Sequence, residues 1–64
     1  MTESDYLLVT NAARIDVALN VMREVMPMTE GVLLTETELQ QVKGLLSQWL
    51  ARLYAAIRDR MEAE

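Results

Sequence analysis

The chain has 64 residues, ten acidic and six basic for a net charge of −4, and it contains neither Cys nor His. That removes disulfides, thiolate or imidazole metal sites and Cys- or His-dependent nucleophilic catalysis. It also argues against nonspecific binding to nucleic acid or to an anionic membrane, both of which want a cationic face.

A chain this short buries only about 60% of the surface its unfolded form exposes, so without disulfide or metal it is expected to lean on association. Apolar residues make up 52% of the composition, too many for an acidic disordered segment. With no Phe, two Gly and one Pro, the pattern is all-α with an aliphatic core. The opening Met1-Thr2-Glu3-Ser4-Asp5 is acidic where a signal peptide needs positive charge. The longest apolar runs, 6–9 and 53–57, fall far short of the roughly 20 residues of a membrane span. A soluble, cytoplasmic protein is expected.

The first helix is predicted over about 4–26. Thr2 or Ser4 serves as its cap, and Glu3 and Asp5 lie in the first turn, where the helix dipole favours negative charge. Leu8, Ala12, Ile15, Leu19, Met22 and Met26 then step by four and three, which is heptad spacing. Pro27 ends the pattern, since proline disfavours the helical conformation of the residue before it.

A link follows over 27–35. Gly31 is its natural position for positive φ. Val32, Leu33 and Leu34 are unusually apolar for a loop; they read as a plug for the end of a helix pair, or else as a docking edge.

The second helix, about 36–62, starts from Leu34-Thr35-Glu36-Thr37-Glu38-Leu39. Thr35 is placed as N-cap with Glu38 reaching back to its N–H, and Leu34 and Leu39 as the halves of a hydrophobic staple. The stripe Leu39, Val42, Leu46, Trp49, Leu50, Leu53, Ile57 and Met61 keeps three- and four-residue steps. Two long helices on a short link pack as an antiparallel hairpin. That brings Glu3 and Asp5 beside Arg58 and Arg60.

The apolar arc of the second helix spans roughly 160° at 100° per residue, wider than one neighbouring helix covers. The first helix carries a second stripe of Tyr6, Ala13, Val17 and Val21 behind its heptad seam. The expected outcome is a homodimer of hairpins, a four-helix bundle. Tyr6, Val17, Val21, Leu45, Trp49, Leu53 and Ala56 are its candidate interface residues; the alternatives are a monomeric hairpin whose loop and long side chains cover the excess, and an apolar face reserved for another protein.

No catalytic or cofactor-binding constellation emerges. Glu36 and Glu38 are accounted for as helix-start residues, and Gly31 and Gly44 stand too far apart to form a phosphate loop. Arg52, Arg58 and Arg60 are the only basic cluster and the only candidate contact for RNA or DNA. They are interrupted by Asp59, so a solvated face is the plainer reading.

Ser4-Asp5-Tyr6-Leu7-Leu8-Val9-Thr10-Asn11-Ala12-Ala13-Arg14-Ile15 and Leu33-Leu34-Thr35-Glu36-Thr37-Glu38 resemble a small early-region protein of lambda-like phages, encoded between the recombination and excision genes. The resemblance lies in overall pattern and implies a small helical protein of the infected bacterial cytoplasm. Proteins of that region are associated with perturbing the host cell cycle and with the lytic–lysogenic balance. The functional expectation is a nonenzymatic regulatory or adaptor protein that contacts a host or phage protein through its helices. A nucleic-acid-binding hairpin dimer and a structural assembly piece are the alternatives.

Overall fold

The computed structural model describes residues 2–63. Two helices, α1 (Glu3–Met22) and α2 (Glu36–Ala63), pack against each other and are joined by a loop holding one short 3-10 turn, Glu30–Val32. The result is the expected antiparallel all-α hairpin, a rod of 53 × 15 × 14 Å.

Each helix is opened by a capping box. At α1 the structure selects Thr2: the Asp5 N–H donates to the Thr2 hydroxyl at 3.1 Å, and the Thr2 N–H donates to the Asp5 carboxylate at 3.2 Å. At α2 the Glu38 N–H donates to Thr35 Oγ1 at 3.2 Å. The Thr35 hydroxyl and N–H both donate to Glu38 Oε1, at 2.6 and 3.4 Å. Four backbone N–H groups at each helix start lack intrahelical partners, and these boxes satisfy part of that deficit locally.

The first helix ends at Met22, a turn short of the expected residue 26. Its last N–H groups tighten into short-range bonds, Glu24 to the Val21 carbonyl at 3.0 Å and Val25 to that of Met22 at 3.1 Å. The cause lies downstream. Met28 and Leu34 form an isolated antiparallel bridge, with the Met28 N–H donating to the Leu34 carbonyl at 2.8 Å and the Leu34 N–H donating back at 3.3 Å. Extended backbone is needed there, and Pro27 already biases Met26 away from the helix, so the chain unwinds before the proline. Met26 consequently drops out of the seam and lies exposed.

The loop apex is left-handed at two consecutive residues, Gly31 (φ 71°) and Val32 (φ 54°). The expectation of an apolar plug fails for Val32 and Leu33, which are 74% and 70% exposed; Leu34 is half-buried. The turn is closed by the Met28–Leu34 backbone pairing, so these side chains need no burial to hold it. The Val32 and Leu33 side chains both stand on the surface.

The core is thin. Ala12, Leu19 and Leu50 form its buried cluster, with Ile15, Leu46, Leu53 and Ile57 packed around it and Leu39 buried nearer the loop. Each lies on the predicted seam of α1 or the predicted stripe of α2, whose Val42, Trp49 and Met61 are exposed instead. Ala12 is the small residue of the cluster and lets the helices approach. At the open end, Arg60 pairs with Asp5, as the antiparallel arrangement of the acidic and basic ends requires.

Candidate interaction surfaces

The seven expected interface residues do not form one surface. At 100° per residue, the stripe Tyr6, Ala13, Val17 and Val21 lies roughly 170° from the Ala12–Leu19 seam of α1. It therefore faces directly away from α2, and Tyr6, Val17 and Val21 are exposed. Leu45, Trp49 and Ala56 lie on the flank of α2 beside the seam, and Leu53 is half-buried between that flank and the core. The hairpin thus has a back face built by α1 alone and a groove face to which both helices contribute.

The groove is an open depression of about 340 Å³ lined by Asn11, Ile15, Trp49, Arg52 and Leu53. Trp49, on the predicted stripe of α2 and among the candidate interface residues, is 42% exposed and so is not part of the hairpin core. Its indole forms a wall of the depression. Asn11 and Ile15 were not among the expected interface residues. Their signal lay in the helical phase of Leu7, Asn11, Ile15 and Ala18, whose steps of four, four and three mark a stripe flanking the main seam. On α2 the matching stripe is Val42, Leu45, Trp49 and Ala56. Leu7, Val42 and Leu45 are all exposed on this side.

The three arginines share no face. Arg60 is engaged by Asp5 at the open end of the hairpin. Arg52 stands at the edge of the groove. Arg58 lies roughly 120° round α2 from Arg52 by helical phase. A basic surface able to follow a phosphate backbone is not assembled from these residues, and the cluster seen in the sequence is dispersed by the helix.

The titration of Asp5 is displaced. Hydrogen bonds from the Thr2 hydroxyl, then from the Thr2 backbone N–H, favour its ionised form, with the Arg60 guanidinium adding to both. Together they hold its carboxyl below the usual value. This is the chemistry of a helix cap joined to an ion pair and lies away from the groove.

No group of three or more acidic side chains suited to a metal ion occurs among the described residues, and no described helix is long and apolar enough to cross a membrane. In comparisons with known proteins, no family model, curated protein or solved structure matches the chain.

Proposed function

We propose that the chain is a nonenzymatic regulatory or adaptor protein that self-associates and contacts a further protein through its helix faces. The observation that carries this reading is the double-sided apolar character of α1. A helix apolar on opposite sides is normally covered on both. Here α2 covers one side, while Tyr6, Val17 and Val21 remain exposed on the other. Contiguous exposed apolar surface on a small protein marks an interaction site. The resemblance to lambda-like early-region proteins supplies a setting for the partner, the cytoplasm of an infected bacterium, and a role in modulating host physiology or lytic–lysogenic development.

The test is capture from bacterial lysate with wild type and with the doubly substituted Val17→Glu, Val21→Glu protein. Both positions are exposed, so the hairpin should survive the change, which far-UV circular dichroism verifies. A partner retained by wild type and lost by the variant is the expected result. If wild type captures nothing specifically, the adaptor role loses its basis.

A further inference from the structure

We infer that the groove face is the seat of a second copy of this chain, giving a two-fold four-helix bundle in which Trp49 is buried. The inference rests on the reading of the chain as a self-associating interaction module and assigns that association to one face.

Area is the first argument. The chain exposes 5195 Å². A compact monomer of this mass exposes about 4,200 Å², so roughly 1,000 Å² is in excess. A stable standard-size interface buries about 800 Å² on each partner. One face of the rod is enough to supply that, and a rod of the same length is suited to cover it.

Pattern is the second. Helix α2 carries two adjacent apolar stripes, the seam against α1 and the flank of Val42, Leu45, Trp49 and Ala56. A helix needs two such stripes when it has two neighbours in a bundle, whereas a lone hairpin uses one. Leu7 and Ala18 extend the same side of α1. Both helices therefore offer the face that a two-fold bundle requires of each protomer.

Charge is the third and permits a second copy as the occupant. The chain carries ten acidic residues and a net charge of −4, so two copies repel unless their contact avoids the acids. Residues 42–56 of α2 contain no Asp or Glu on any face. Glu38 lies beyond them at the loop end, and Asp59 lies past Ala56 at the rim. A basic partner would want the acids on this face, where the charged lining residue is instead Arg52 at the groove edge. A second copy wants the acids elsewhere, as they are.

Sedimentation equilibrium of the full chain at tens of micromolar should give the dimer mass. The Leu45→Glu variant should weaken association at least tenfold while keeping its helicity, because Leu45 is exposed in the hairpin. The Val17→Glu, Val21→Glu protein should dimerise as wild type does. Trp49, the only tryptophan, gives a readout without mutation: its access to acrylamide should fall as wild type is concentrated through the association range. A monomeric wild type, another stoichiometry, or a Trp49 whose quenching is independent of concentration overturns the proposal. So does a dimer indifferent to Leu45→Glu or broken by the Val17, Val21 changes. Each of these outcomes leaves partner capture by the back face to stand or fall on its own result.

Discussion

Arg60 donates to the carboxylate of Asp5 across 55 residues of chain, tying the last turns of α2 to the cap of α1. The contact is exposed, and the same carboxylate already accepts from Thr2. Local capping and long-range pairing thus converge on one side chain, which fixes the alignment of the two helices at the end without a loop.

The pH dependence of that contact has a defined sign. The folded protein holds Asp5 below the ordinary carboxylate value of 3.8, chiefly through Thr2 and secondarily through Arg60. Its contribution to stability is therefore complete above 3.8 and is lost as pH falls through the lower folded value. Thermal midpoints of wild type and Asp5→Ala, followed into the acid range, should differ near neutrality and converge in acid. Arg60→Ala should have a smaller effect than Thr2→Ala, and added salt should reduce the Arg60 contribution alone. A gap between wild type and Asp5→Ala that persisted in acid would show that the carboxylate's charge is not what matters.

The Thr35 box makes a second prediction. Thr35→Ala removes the acceptor for the Glu38 N–H and should lower stability by about 1 kcal/mol, whereas Thr35→Ser should be nearly neutral. Urea unfolding at fixed protein concentration measures it, since self-association would otherwise shift the midpoint by mass action. Equal losses for Ala and Ser would mean that the threonine methyl group, and not the cap, holds this corner.

The loop apex was only half legible in the sequence, and its chemistry is instructive. Gly31 adopts the positive φ expected of it, but so does Val32, a β-branched residue that seldom does. A left-handed L-residue costs roughly 1–2 kcal/mol. Since Val32 is largely exposed, Val32→Asn or Val32→Gly surrenders little burial and should raise the thermal midpoint. Gly31→Ala should lower it. There the obstacle is φ and not space, because an added Cβ would meet only Leu33, at an ordinary 3.8 Å. A destabilised Val32→Asn protein would mean that the valine side chain is covered by something other than this hairpin.

Periodicity and capping chemistry carried most of the fold. The positions of Ala12, Leu19, Leu39 and Leu50 follow from three- and four-residue steps, and the capping box of α2 follows from Thr35 set three residues before Glu38, whereas the sequence left the cap of α1 open between Thr2 and Ser4. The end of α1 did not follow, because it depends on Met28 meeting Leu34 through backbone groups that no side-chain pattern records. The candidate surface was legible residue by residue but not as two faces. Helical phase gives angles within one helix; the relation of Val17 to Trp49 appears only once the seam that α1 and α2 share is known.

Gly44 separates the hairpin's own requirements from those of a partner. It lies in the interior of α2, where glycine costs about 1 kcal/mol relative to alanine. A Cβ built there meets nothing within 4 Å. By helical phase it points roughly 140° away from Trp49 and about as far from the Leu39–Leu50 seam, so neither the core nor the proposed dimer face should feel the change. Gly44→Ala should therefore raise stability by about 1 kcal/mol and leave the sedimentation mass unaltered. Glycine would be needed only if another backbone or side chain came against that surface. A loss of stability, or of assembly, in Gly44→Ala would place a contact on the one side of α2 that the hairpin and its proposed twin both leave open.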